Sequence, residues 1–172
     1  RQGPVWIDIP LDIEEKLNKF IDKKFLKIKK KKKKYYFNPK KILSEINKSK
    51  RPLLIIGHGV RLSGADKELK KLIKQIKVPF LTTWNALDIE KYENKLNMGS
   101  PGVVARRSSN ISIQLSDLII SIGSSLNKVI TAFDEENFGR NAKKIIVDID
   151  KSQLDKIQIP RSQKILCDAK FF

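Results

Sequence analysis

The hydrophobic positions of this chain gather into short dense runs separated by turn residues. Three of the runs share one grammar. Leu118-Ile119-Ile120-Ser121-Ile122 stops at Gly123 and is followed by Ser124, Ser125, Leu126 and Asn127. Leu53-Leu54-Ile55-Ile56 stops at Gly57-His58-Gly59-Val60. Lys144-Ile145-Ile146-Val147-Asp148-Ile149-Asp150 repeats the pattern with acids in place of glycine. An apolar run of roughly four to eight residues bounded by turn signals suits a strand buried on both faces. The carboxyl end of such a strand is where an open α/β sheet receives a ligand.

Between these runs the period changes to that of a helix. Asn38 is placed to cap a helix with Pro39 at its first position, and Ile42, Leu43 and Ile46 recur on one face. Arg51-Pro52 ends that helix and leads into the strand at Leu53. A helix over about 65–76 carries Leu69, Leu72, Ile73 and Ile76 at spacings of three and four. Val78 to Leu81 resumes a strand, with Thr82 to Ala86 as its exit loop. Residues 97–110 read as a loop containing Gly99, Pro101 and Gly102, and a helix follows through Ile111, Ile113 and Leu115. A loop with Phe133 and Phe138, a short helix from Ser152 to Lys156 and a last strand from Lys164 to Leu166 complete the series. This alternation predicts an α/β fold: an open, mainly parallel sheet with helices on both faces, of Rossmann-like type.

The amino-terminal segment stands apart. Val5, Ile7 and Ile9 alternate with Trp6 and Asp8 and stop at Pro10, which is a strand pattern with no local partner. It reads as a strand completing a sheet that lies elsewhere in a longer protein; the other reading is an edge strand of the domain that follows. Residues 11–37 read as linker: a short helix, the run Lys29 to Lys34, then Tyr35-Tyr36-Phe37. The division is therefore residues 1–12, the last strand of a preceding domain; 13–37, a Lys-rich linker; and 38–172, a nucleotide-binding-like domain.

Composition narrows the classes. A chain of 172 residues with 40% apolar content can bury one real core. No apolar run approaches the roughly 20 residues that span a bilayer, and no signal-peptide pattern is present, so a soluble cytoplasmic protein without membrane contact is expected. Cys167 is the one cysteine and His58 the one histidine, which excludes an internal disulfide, a cysteine metal cluster and a His-rich metal site. The net charge is +17, with sixteen basic against six acidic residues in 1–50 and twenty against thirteen in 51–172. Clustered lysines can release counterions from nucleic-acid phosphates. Here the basic residues are mostly Lys in a chain also rich in Ile and Asn, and the run lies between two structured pieces. A solvated linker accounts for it, and no nucleic-acid partner is expected.

Candidate chemistry sits at the strand ends. Backbone amides in Gly57-His58-Gly59-Val60 can approach a phosphate, although the full G-x-G-x-x-G pattern is not met, since position 62 is Leu. A tight turn without a ligand is the competing reading. His58 is a candidate ligand or base, or simply a hydrogen-bonded turn residue. Asp148 and Asp150 can hold ribose hydroxyls, or can cap and pair locally. Arg106-Arg107 can meet a phosphate or sit in solvent. No paired carboxylates in a catalytic context, no nucleophile with an adjacent base and no cysteine or histidine metal-ligand set are present, so no catalytic or metal residue is assigned.

Together these residues carry a resemblance. Gly3-Pro4-Val5-Trp6-Ile7-Asp8-Ile9-Pro10 is similar to the end of the first domain of thiamine-diphosphate-dependent enzymes of the acetolactate synthase type. Gly57-His58-Gly59, Pro79 to Asp88, Gly99-Ser100-Pro101-Gly102, Asn110, Ser116-Asp117-Leu118 through Leu126-Asn127, and Val147-Asp148-Ile149-Asp150 resemble their central domain, in the right order. Thr83-Trp84-Asn85-Ala86 and Cys167-Asp168-Ala169-Lys170 are most similar to acetolactate-synthase-like members of varied substrate.

The resemblance implies a three-domain enzyme whose first and third domains bind thiamine diphosphate and Mg²⁺ across the interface of a homodimer or homotetramer. The cofactor would decarboxylate a 2-oxo acid such as pyruvate and pass the fragment to an acceptor. The activating glutamate lies before residue 1 in the family and the diphosphate–metal motif after residue 172, so this piece alone is expected to be inert. The central domain resembles a parallel sheet of about six strands that carries FAD in some members and another nucleotide or none in others. The nucleotide contacts implied are Gly57, His58, Gly59, Thr83, Trp84, Gly99, Gly102, Gly123, Asp148 and Ile149. Departures count against FAD: Ser125 and Asn127 stand where flavin-binding members have an arginine and acids, and the loop glycine after Gly102 falls on Ala105. The same sheet also resembles stand-alone nucleotide-binding modules of sirtuin-like or electron-transfer-flavoprotein-like fold, which is the alternative.

Overall fold

A computed structural model describes residues 4–15 and 35–172, so the lysine run and most of the expected linker lie outside the described residues. The chain divides into two units, Arg1–Lys34 and Tyr35–Phe172. In the first, residues 4–10 form no strand, and a single turn of helix, α1 (Leu11–Glu14), follows Pro10. Val5, Trp6, Ile7 and Ile9 are all exposed. The alternating pattern predicted a strand, but a strand needs a neighbour for its N–H and C=O groups. None is available within the described residues of this unit.

The second unit is an α/β domain. Its elements run α2 (Pro39–Lys48), β1 (Pro52–Ile56), α3 (Gly59–Leu62), α4 (Asp66–Ile76), β2 (Phe80–Thr82), a 3₁₀ turn (Trp84–Ala86), α5 (Arg107–Leu115), β3 (Leu118–Ile122), β4 (Lys143–Asp148), α6 (Lys151–Lys156) and β5 (Ser162–Leu166). The strands form one sheet in the order β2-β1-β3-β4-β5, and every pairing is parallel. Five strands form where about six were expected. The sixth place holds a rudiment: Phe80 N donates to Leu96 O, Met98 N to Phe80 O and Thr82 N to Gly99 O, so residues 96–99 run beside β2 with a single parallel bridge. Asn94 and Asn97 side chains turn the backbone there, which keeps this stretch from extending into a ladder.

The buried runs explain the sheet. Every residue of β3 and all of β1 after Pro52 are buried. A parallel strand in mid-sheet has helices over both faces, so both of its side-chain rows must be apolar. One face packs Leu54, Ile56, Phe80, Ile120, Ile122 and Val147 against Ile42, Val60, Leu69 and Ile73 of α2, α3 and α4. The other packs Leu53, Ile55, Leu81, Ile119 and Ile146 against Ile113 of α5 and Leu154 of α6.

Local signals set the element ends. Asn38 Oδ1 accepts from Lys41 N at 3.2 Å with Pro39 at the first helical position. β2 begins at Phe80, two residues later than the apolar run suggested, because Pro79 has no N–H to donate; its carbonyl accepts from Leu54 N instead. Asp117, just before β3, ties the α2–β1 joint to the sheet. It accepts from Ser49 Oγ, from Lys50 N at 2.8 Å and from Arg51 N at 3.1 Å. Burial disfavours its charge, but these donors outweigh that and hold its carboxyl below the ordinary aspartate range.

Lys144 on β4 breaks the apolar row. It is buried, and its Nζ has no hydrogen-bond partner among the described residues. Desolvation, with the nearby positive charge of Arg161, lowers its pKa from the ordinary lysine value.

Two stability predictions follow from these groups. The folded pKa of Asp117 is depressed, so its contribution is complete above the unfolded value of about 3.9 and is lost as pH falls through the folded one. The stability gap between wild type and Asp117→Asn, measured by urea unfolding, should be widest near neutrality and close in acid. The folded pKa of Lys144 is also lowered, so the unfolded chain holds the extra proton below the ordinary lysine value. Lys144→Met should raise the unfolding free energy at pH 7 by about 1–3 kcal/mol, the cost of a buried unsatisfied group. The gain should shrink as pH approaches the lysine range.

Candidate functional site

Parallel pairing places the carboxyl ends of all five strands on one edge of the sheet. β1 is followed in sequence by α3, α4 and β2 on one side, while β3 pairs with it on the other. The order therefore reverses between β1 and β3, and that gap is the crevice where open α/β sheets bind ligands. The residues singled out in the sequence gather along this edge. Gly57 ends β1, Thr83 and Trp84 follow β2, Gly123 ends β3, and Asp148 and Ile149 end β4. Gly99 flanks the end of β2 through the bond from Thr82 N to its carbonyl oxygen at 3.0 Å. Gly102 reaches the loop after β3, where Val103 N donates to Val129 O at 3.1 Å.

The glycines at the switch point meet one another directly. Gly57 N donates to Ile122 O, Gly59 N to Gly123 O and Gly123 N to Val147 O, each at 2.9 Å. A Cβ built on Gly57 would lie 2.2 Å from Gly123 O, and one on Gly123, where φ is +62°, would lie 2.8 Å from Gly59 Cα. The turns that follow β1 and β3 thus touch backbone to backbone, which no larger residue allows. The helix that follows, α3, is a single turn of four residues.

The remaining residues have defined partners. His58 Nδ1–H donates to Asn85 O at 2.7 Å, which fixes the tautomer and leaves Nε2 as the acceptor nitrogen. Arg61 on the same turn bonds Asp88 at 2.5 Å and lies 3.3 Å from Asp66. Its bond to Asp88 is the main reason that carboxyl sits below the ordinary range. His58 and Arg61 together clip the loop after β2 to the turn after β1. Thr83 N donates to Ile56 O at 2.9 Å, and Trp84 remains 46% exposed beside it. Asp148 is buried and accepts from Asp150 N at 2.8 Å, while Asp150 caps α6 through Ser152 N at 2.9 Å. Ile149 is exposed. Arg106 precedes α5 with its guanidinium 5.0 Å from the centre of the Tyr92 ring.

Two further residues, which carried the resemblance without an assigned role, prove to hold the loop in place. Asn110 holds Gly102 from both sides, accepting from its N–H at 3.1 Å and donating to its carbonyl at 2.9 Å. Ser100 Oγ donates to Thr82 O at 2.6 Å. Each bond links residues 8 and 18 positions apart, respectively, and depends on how the loop folds back. Between α5 and the loop 130–138 lies a cavity of about 240 Å³ lined by residues that include Asn110, Ile113, Gln114, Ile130, Thr131 and Phe138.

This geometry bears on a flavin. Holding a dinucleotide's diphosphate at a switch point calls for backbone donors. The amides of Gly57, Gly59 and Gly123 are all committed to carbonyls of the chain itself. Leu126, after Gly123, is buried in the core. The three glycines therefore do not fit a diphosphate site built on their amides, and the groups left along the edge are His58, Thr83, Trp84 and Ile149.

The parallel sheet with helices on both faces and a switch point between β1 and β3 defines an open α/β domain of Rossmann-like form. The family model "Thiamine pyrophosphate enzyme, central domain" matches residues 39–172, and the chain belongs to that family. A "Probable acetolactate synthase large subunit" of Methanococcus aeolicus is 36% identical over 182 aligned positions, covering 99% of this chain and 29% of that protein. The acetolactate synthase large subunit of Corynebacterium glutamicum is 31% identical over 92% of this chain and 26% of its own length. The isozyme 1 large subunit of Escherichia coli K12 is 32% identical over 93% of this chain and 28% of its own length. A solved structure from Mycobacterium smegmatis, assigned as a thiamin diphosphate-dependent enzyme, superposes with a TM-score of 0.62 at 15% identity. It covers 76% of this chain and 25% of that one. The chain spans less than a third of the length of the curated relatives it matches. It is a thiamine pyrophosphate enzyme central domain similar in sequence to part of acetolactate synthase large subunits, and a stand-alone sirtuin-like or electron-transfer-flavoprotein-like module is not favoured. Thiamine diphosphate and Mg²⁺ are the cofactors of this family, bound outside this part of the chain.

Gly123→Ala should cost more than the roughly 1–2 kcal/mol of left-handed strain alone, because its Cβ meets backbone. Gly64→Ala, with φ +70° and nothing within 4 Å of its Cβ, should cost only that strain. Thermal unfolding of the two variants checks the difference.

Proposed function

We propose that this chain is the central, scaffolding part of a thiamine-diphosphate enzyme that decarboxylates a 2-oxo acid such as pyruvate and transfers the fragment to an acceptor. The observation that carries the reading is the match to acetolactate synthase large subunits over 99% of the chain. That span includes the segment before the central domain. Residues 1–12 then supply the last strand of the preceding pyrimidine-binding domain, which accounts for the exposed Val5, Trp6, Ile7 and Ile9. Residues 13–37 form the Lys-rich linker and 38–172 the central domain. The whole enzyme is a cytoplasmic homodimer or homotetramer with a small 2-oxo acid as substrate and no nucleic-acid or membrane partner. No helix among the described residues is long and apolar enough to cross a membrane.

Within this role the central domain carries no flavin. The committed glycine amides and the neutral Ser125 and Asn127 support that reading. Where a nucleotide does occupy the edge, its contacts are drawn from Gly57, His58, Gly59, Thr83, Trp84, Gly99, Gly102, Gly123, Asp148 and Ile149. Of these, His58 Nε2, the Trp84 ring and Ile149 are the outward-facing groups.

The full-length protein, assayed with pyruvate, should release CO₂ only with thiamine diphosphate and Mg²⁺ present, and residues 1–172 alone should release none. It should also purify without flavin absorbance. A cofactor-independent turnover would refute the first reading, and stoichiometric flavin would refute the second.

A further inference from the structure

The ends of the second unit are joined by a cluster of rings. Tyr35 and Phe37, where the chain enters the unit, lie against Phe171 and Phe172. The Tyr35–Phe171 ring centroids are 5.3 Å apart, those of Phe37 and Phe172 5.1 Å, and those of Phe37 and Phe171 6.2 Å in an edge-on arrangement. These separations and tilts are the favourable geometry for aromatic pairs. Tyr35, Phe37 and Phe172 also rest on the core face formed with α2 and α4. Phe171 remains 59% exposed, so core burial does not dictate its place; its ring contacts are with the incoming segment.

The outgoing segment is shaped to present these rings. Cys167 N donates to Asp148 O at 3.0 Å, which carries the chain past the end of β5 alongside β4. Asp168 then closes a turn: its carbonyl accepts from Phe171 N and Phe172 N at 3.0 Å, and its side chain accepts from Lys170 N at 2.9 Å. In sequence the incoming rings follow directly on the lysine run.

We propose that Tyr35, Phe37, Phe171 and Phe172 form a clasp that fixes the incoming chain beside the outgoing chain. The flanking parts of the enzyme then depart from one place on the central domain. The proposal rests on the reading above that the polypeptide continues on both sides as in the longer relatives. The clasp anchors one end of the Lys-rich tether and confines the flanking domains to neighbouring positions. It acts by position, with no contact to substrate.

The test uses the full-length protein carrying Tyr36→Cys and Lys170→Cys, both exposed sites, with reactive cysteines of the flanking regions replaced. Cys167 is fully buried and its thiol is pushed up to about 11, first by burial and then by the charge of Asp168, so it escapes labelling. Spin labels at 36 and 170 should give one short, narrow distance distribution. Adding Phe37→Ala and Phe171→Ala should broaden it several-fold while the far-UV spectrum is kept. If the Ala pair fails to fold, Phe37→Leu with Phe171→Leu retains apolar volume without the ring contacts and should broaden it likewise. A broad distribution in the starting protein, or one that stays narrow in the variants, overturns the clasp. Thiamine-dependent turnover of pyruvate is measured separately in the unlabelled protein. Its absence would count against the proposed function and leave the distance result unaffected.

Discussion

The fold depends on one close contact, the meeting of the turns after β1 and β3. Gly57 and Gly59 lie against Gly123 with no side chain between them, and the amides of all three bond within the sheet edge. β1 and β3 are the central strands, covered by helices on both faces, and their side-chain rows are apolar apart from Ser121, whose buried hydroxyl has no hydrogen-bond partner among the described residues. Any residue other than glycine at Gly57 or Gly123 would wedge the strand ends apart at the point where the chain changes direction.

That contact also redirects the chemistry of the edge. In an open sheet, free amides at a switch point are an anion site. Here those donors serve the structure, and the polar groups around them are tied down as well. His58 and Arg61 secure the loop after β2, Asp148 holds the backbone at Asp150, and Asn110 holds Gly102. The edge keeps the form of a nucleotide site and uses much of its hydrogen-bonding capacity internally. This suits the scaffolding role proposed for the domain.

Much of this was legible in the sequence, for identifiable reasons. Continuous runs such as Leu53 to Ile56 mark doubly covered parallel strands, since one-sided strands would alternate. Asn38-Pro39 is a helix start because each residue solves a local problem of unpaired amides. The gathering of Gly57, Thr83, Gly123 and Asp148 on one edge followed from parallel order alone. The sequence was a poorer guide where long-range partners decide. Residues 96–99 have no strand pattern yet run beside β2, held by three backbone bonds. Lys144 stands at the head of an apolar run, and only packing shows that its ammonium is buried without a hydrogen-bond partner among the described residues.

By itself the sequence determined the α/β class, the order of elements, the family and the positions that line the carboxyl edge. These rest on local periodicity and on residues whose backbone preferences act within a few positions. Tertiary structure decided which amides remain available, which strand takes the sixth place, and that Tyr35 and Phe37 meet Phe171 and Phe172 across the whole length of the domain. Such contacts join residues far apart in the chain, where a residue's type states what it can bond and only the fold states whether the partner arrives.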